Sequence, residues 1–254
     1  VYTHTNETDW SEPASWSMGL LNEADWQGQW IGLDRPAPGD SETQWSRLAA
    51  RYLRKEFALT KEVKRATVHI AGMGLYELFI NGQRIGEQVL APAPTDYRKT
   101  ILYNTYDVTP QLQKENAIGV ILGNGRFYTM RQNYKPYKIP TFGYPKLRLN
   151  LIVEYTDGSR QTIASDISWK LTTEGPIRSN NEYDGEEYDA RKELGDWNRT
   201  GYDDTNWIPA GRVSIPSGTL RAQMMPGMKV TESLKPVSIR KQGDKQILDI
   251  GQNM

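Results

Sequence analysis

Cysteine is absent from this 254-residue chain, and histidine occurs only as His4 and His69. Without thiols there are no disulfides and no thiolate metal sites, although the lack of cysteine leaves the compartment open. Two histidines are too few for a multi-histidine zinc centre and make most Ser–His–Asp arrangements unavailable. Nor is there an excess of charge of one sign, because 31 Lys and Arg offset 31 Asp and Glu. That balance provides no global field for nucleic acid or an anionic membrane, and neither partner is expected. No apolar run approaches the roughly 20 residues of a membrane span. Residues 1–15 lack the basic start and apolar core of a signal peptide. The chain opens on Val1 and reads there as mid-domain, so a piece of a longer polypeptide is expected.

Phenylalanine is scarce as well, with four residues against eight tryptophans and fourteen tyrosines. Such amphipathic rings suit half-buried strand faces, and also polyhydroxylated ligands with an apolar face. Long amphipathic helices are missing. Period-2 alternation dominates instead: Ala66, Val68 and Ile70; Tyr76, Leu78 and Ile80; Ile118, Val120 and Leu122; Leu147 through Tyr155. Asn81-Gly82 and Asp157-Gly158 punctuate these runs as tight turns. Alternating strands with short turns predict an all-β antiparallel sandwich or jelly roll. Three blocks follow. Residues 1–45 read as the end of a preceding β-domain plus a Pro/Gly/Asp linker. Residues 46–212 read as the sandwich, and 213–254 as the start of a further, truncated β-domain.

Two stretches concentrate candidate chemistry. "NNEYDGEEYDAR", Asn180–Arg191, is dense in carboxylates. An inverting acid pair needs carboxyls roughly 6.5–9.5 Å apart with one pKa raised, and nothing apolar here would raise it. As a calcium cradle, Asn180, Asn181, Asp184 and Glu186 supply oxygens, and Gly185 allows a bend. As structure, Tyr188 would pack inward while Asp189 and Arg191 form a clasp. The second stretch, Leu122–Lys146, opens on "GNG" and runs into a long aromatic and basic loop. It either reads sugar hydroxyls or packs on another domain. Candidate sugar contacts are Asn124, Arg126, Tyr128, Asn180, Asn181 and Tyr183; candidate metal ligands are Asn180, Asp184 and Glu186. Asp96 with Arg98, and the "DWNRTGYDDTNW" stretch with Trp197 and Trp207, read as structural pins.

The run "GLYELFINGQRIGEQVLAPAPTDYRKTILYNTYDVTPQLQKENAIGVILGNGRFY" resembles the N-terminal domain of bacterial α-L-rhamnosidases. So do "GPIRSNNEYDGEEYDAR" and "DWNRTGYDDTNWIPA". The resemblance implies a galactose-binding-like jelly roll with partial flanking β-domains. It also implies a parent hydrolase, periplasmic or secreted, that removes terminal α-L-rhamnose from plant glycosides and pectic polysaccharides with inversion. The catalytic acids of that family lie in a downstream (α/α)6 barrel, so this chain is expected to have no catalytic residues and to be silent alone. Some members carry a calcium-assisted rhamnose site in a related jelly-roll domain. Three roles are open: accessory region of a rhamnosidase, partnered with its catalytic domain and rhamnose-containing glycans; stand-alone rhamnose-binding module, with calcium possible; or structural spacer of another glycoside hydrolase.

Overall fold

The computed structural model describes residues 10–14, 18–35, 48–129 and 142–252. Strands begin with β1 (Ile31–Gly32), β2 (Arg51–Ala58), β3 (Val63–Met73), β4 (Leu75–Ile80), β5 (Gln83–Arg84) and β6 (Thr100–Asp107). Next come β7 (Glu115–Gly123), β8 (Lys146–Tyr155), β9 (Arg160–Ala164), β10 (Lys170–Thr172), β11 (Ile177–Asn181) and β12 (Gly185–Tyr188). The last are β13 (Ile208–Pro209), β14 (Gly211–Arg212), β15 (Thr219–Ala222), β16 (Ser238–Gln242) and β17 (Lys245–Asp249). Among the described residues helix is limited to single 3-10 turns such as Glu23–Asp25 and Thr109–Gln111.

One sheet has the order β14-β1-β8-β3-β6-β15, with β9 also paired to β8; the other has the order β13-β10-β2-β7-β4-β5. Their inner faces form the core. Leu53, Leu78, Val120 and Leu171 from one sheet meet Val68, Ile70, Leu149 and Leu151 from the other. Each such side chain contributes about 1.5–3 kcal/mol on burial. Trp169 is fully enclosed and donates its indole N–H to the Ala164 carbonyl at 3.0 Å. The Asn81-Gly82 turn closes β4 onto β5 with φ of 52° and 81° at its two residues. Both lie in the left-handed region that the twist of a two-residue hairpin requires.

The alternation predicts one dry and one wet face per sheet, but both faces of the central strands are covered. Strand β3 is buried continuously over residues 68–73 and β8 over residues 146–151. Trp26 and Trp30 lie on the outer face of the first sheet with Met73, Tyr103 and Phe127. Tyr52, Trp197 and Trp207 cover the second. Arg54, 2% exposed, fixes that second cover by donating to the carbonyls of Trp197 at 2.8 Å and Arg199 at 2.9 Å. It also pairs with Asp204 and Glu56.

The main sheet recruits short segments from both ends of the chain. Ile31–Gly32 pairs with Leu147 and Lys146 inside the main sheet, on the near side of the expected break at 45. Thr219–Ala222 pairs in parallel with Thr100–Tyr103, beyond the expected break at 212. Both segments are drawn in by exposed strand edges and apolar faces that would otherwise be wet. The hairpin β16–β17 forms a two-stranded sheet of its own.

The N-terminal cover is held by Gly28. Its N–H donates to Asn150 Oδ1 at 2.7 Å, and its carbonyl accepts from Arg148 Nε at 2.6 Å. A Cβ there would stand 2.3 Å from the Leu149 carbonyl oxygen. Gly28→Ala is expected to cost about 1–3 kcal/mol, the range of overpacked cores, read as a lower urea midpoint. Under the same cover His69 donates to or accepts from Thr105 Oγ1 at 3.0 Å, edge-on to Trp26 and Tyr103. Burial lowers its pKa from 6.5 to about 4. The unfolded chain therefore takes up the proton first. The stability contributed is fully present above pH 6.5 and is lost as pH falls toward 4. Thermal melts from pH 7 to pH 4 should show this loss, on the order of 2–3 kcal/mol, and His69→Gln should flatten it.

Candidate functional site

Strands β4 and β7 pair so that Leu75 lies opposite Gly123 at one end of their ladder. Past Gly123 the chain turns through Asn124 and Gly125, the latter with φ 49°. Asn124 and Asn180 bond reciprocally: the Asn124 N–H donates to Asn180 Oδ1 at 2.6 Å, and Asn124 Nδ2 donates to the Asn180 carbonyl at 2.8 Å. Asn124 Nδ2 also reaches the Leu48 carbonyl at 2.7 Å. This clamp sets the β11–β12 hairpin against the turn. Gly123 is required there, because a Cβ would come 2.7 Å from Asn180 Oδ1.

Between the β4–β7 end, the hairpin and the segment from Leu90 to Tyr97 lies a cleft of about 590 Å³. Leu75, Tyr97, Ile121 and Ile177 give it an apolar lining, with the half-exposed Leu90 and Met228; Glu77, Arg126, Asn181, Glu182 and Glu186 add polar groups. Burial pushes the Tyr97 hydroxyl up to about 12, so the phenol stays neutral. Arg126 Nη1 donates to Glu182 Oε2 and to the Tyr183 hydroxyl, each at 3.1 Å. Asn181 Oδ1 accepts the N–H groups of Tyr183 and Asp184, both at 2.8 Å, and shapes the hairpin tip.

The candidate sugar contacts divide. Arg126, Asn180 and Asn181 come together on the cleft, with half-exposed Tyr183 beside it. Asn124 is 1% exposed, and its Nδ2 is spent on main-chain carbonyls. Tyr128 is 4% exposed, stacked on Tyr144 with centroids 5.7 Å apart. Neither lines the cleft. Arg131, Tyr134 and Tyr137 lie outside the described residues. Of the candidate metal ligands, Asn180 Oδ1 already accepts the Asn124 N–H, and Asp184 Oδ2 accepts from Asn181 Nδ2 at 3.1 Å. Among the described residues no group of three or more His, Cys, Asp or Glu side chains gathers to hold a metal.

The acidic stretch acts as a clasp, with one correction. Asp189 accepts from Arg191 Nε and Nη2, both at 2.8 Å, and its N–H donates to the Pro176 carbonyl at 2.8 Å. The Arg191 guanidinium holds the Asp189 carboxyl down to about 2. Tyr188, expected inside, is 54% exposed and donates to Glu193, because β12 lies at the surface with no second layer above it. Five carboxyls are held below the ordinary range by neighbouring donors: Asp96 beside Arg98, Asp107 beside Thr109, Asp157 beside Lys61, Asp189 beside Arg191, and Asp203 beside Thr205. A general acid for glycoside hydrolysis needs the opposite shift. Glu77, Leu90 and Met228 were not legible as site residues. They lie far apart in sequence and meet only through strand pairing and the bond from the Val89 N–H to the Met228 carbonyl, 2.9 Å.

Fold and cleft define a two-sheet sandwich with a ligand-sized recess at the end of one ladder. Residues 61–232 match the family described as the α-L-rhamnosidase N-terminal domain, and the chain belongs to that family. An α-L-rhamnosidase of Formosa agariphila is 39% identical over 98% of the chain, which spans 28% of that protein. The solved α-L-rhamnosidase of Aspergillus terreus superposes with a TM-score of 0.82 at 36% identity, covering 93% of this chain and 27% of that one. The Streptomyces avermitilis α-L-rhamnosidase, solved in complex with L-rhamnose, gives 0.75 at 35% identity, covering 82% and 20%. The chain thus corresponds to about a quarter of the length of these proteins.

Removing the Asn124 amide leaves the Leu48 and Asn180 carbonyls without that donor. Asn124→Ala is expected to cost about 1–3 kcal/mol, measured as a fall in melting temperature.

Proposed function

We propose that this chain is the non-catalytic β-sandwich region of an α-L-rhamnosidase, and that its cleft receives rhamnose-bearing substrate for a catalytic part elsewhere in the same protein. The parent enzyme would remove terminal α-L-rhamnose from plant glycosides or pectic polysaccharides. The observation that carries the reading is the cleft itself. Its apolar lining suits the methyl group and hydrophobic face of a deoxysugar, and Arg126 at the rim supplies a polar group that fixes orientation. The Streptomyces avermitilis relative is solved in complex with L-rhamnose, which supports rhamnose as the sugar the parent protein takes.

Isothermal titration of the 254-residue chain with L-rhamnose, in calcium and in EDTA, tests the reading. Heat of binding is expected, together with no release of p-nitrophenol from p-nitrophenyl α-L-rhamnoside. Arg126→Ala should weaken binding by about 1–3 kcal/mol. Its melting temperature should barely move, since exposed ion pairs contribute about 0–1 kcal/mol. Absence of heat with and without calcium would sink the substrate-holding role and leave support of the catalytic part as the alternative.

A further inference from the structure

The ionisable groups on the cleft wall are unequal in sign. Among the described lining residues Glu77, Glu182 and Glu186 stand against one cation, Arg126. Glu77 draws on Arg84 at 3.4 Å, outside the lining. Arg126 is already matched within the chain, by Glu182 Oε2 and the Tyr183 hydroxyl. Glu186 brings a further carboxylate to the wall. A carboxylate-bearing guest therefore meets like charge and must share the Arg126 guanidinium with Glu182. A neutral guest meets neither obstacle.

The pair is placed to compete with a guest. Arg126 and Glu182 are 47% and 42% exposed, so both are within reach of a ligand in the cleft. Their backbones are fixed relative to each other by the Asn124–Asn180 clamp and by the Glu182 N–H, which donates to the Gly125 carbonyl at 3.4 Å. The internal counter-ion is thus held in register with the cation it occupies. Specificity obtained by repulsion of the wrong partner follows directly from such an arrangement.

Resting on the reading of the cleft as a saccharide site, we infer that Glu182 is a specificity residue. By occupying Arg126 it reserves the cleft for neutral saccharides and turns away those carrying a uronate next to the bound sugar. Glu182 makes no required contact with the neutral guest; it acts through Arg126 and through its own charge.

A matched pair of probes isolates this effect: rhamnosyl-galactose and rhamnosyl-galacturonate, which differ at one carboxylate. Isothermal titration at low ionic strength is run on the 254-residue chain and on its Glu182→Gln and Glu182→Asp variants. The wild-type chain is expected to prefer the neutral disaccharide. In Glu182→Gln the ratio of neutral to acidic affinity should fall about fivefold, the size of one exposed ion pair. Glu182→Asp, which keeps the charge, should retain the preference. In wild type the ratio should shrink toward one in 0.5 M salt, about where a Debye length falls to a few ångströms. A ratio unmoved in Glu182→Gln, or unmoved by salt in the wild-type chain if that variant does not fold, overturns the inference. So does a wild-type preference for the acidic probe. Binding of neither probe overturns it by removing the saccharide reading beneath it, a result distinct from binding without discrimination.

Discussion

Burial on both faces of the central strands is the constraint from which the architecture follows. A two-sheet sandwich needs only its inner faces dry, yet β3 and β8 are enclosed on either side. The outer apolar residues Ala71, Met73 and Tyr103 would face water without the segment that carries Trp26 and Trp30. On the opposite sheet Tyr52 depends in the same way on Trp197 and Trp207. Each cover is then anchored by a buried guanidinium that donates to main-chain carbonyls, Arg148 on one side and Arg54 on the other. A planar donor fork suits this task, since carbonyls of a covering loop have no strand partners.

The cleft depends on the same economy of backbone groups. The turn after β7 and the strand β11 each present main-chain groups that no ladder satisfies, and the amides of Asn124 and Asn180 satisfy them reciprocally. One consequence is rigidity at the wall behind the cleft. The Asx turn at Asn181 extends that order to the hairpin tip. The rim side chains Arg126 and Glu182 thereby become the adjustable part of an otherwise fixed recess.

Much of this was legible in the sequence. The strand periods, the Asn81-Gly82 hairpin, the Asp189–Arg191 pair and a structural role for Trp197 and Trp207 all follow from local chemistry, and all are present, the two tryptophans packing on a sheet face. Long-range matters were less legible. An asparagine in a Gly-flanked turn reads alike whether its amide faces a ligand or a carbonyl, so Asn124 could not be placed from its neighbours alone. Trp26 and Trp30 sit before a Pro/Gly/Asp stretch that reads as a linker, and nothing local says that they fold back over strands β3 and β6, which lie beyond that stretch. The cleft lining draws Leu75, Tyr97, Ile177 and Met228 from four separate segments, and no spacing rule joins them.

The parallel pairing of β15 with β6, and the insertion of β1 beside β8, bear on how such modules are exchanged between proteins. A recombination point in the linker-like stretch before residue 46 would separate the tryptophan cover from the sheet it protects. One just after residue 212 would strip the partner from the edge of β6. Either join would give a hybrid with wet apolar faces or an open strand edge, the features that promote aggregation. The sheet is therefore wider than its most regular strands, taking in β1 at one end of the sequence and β15 at the other.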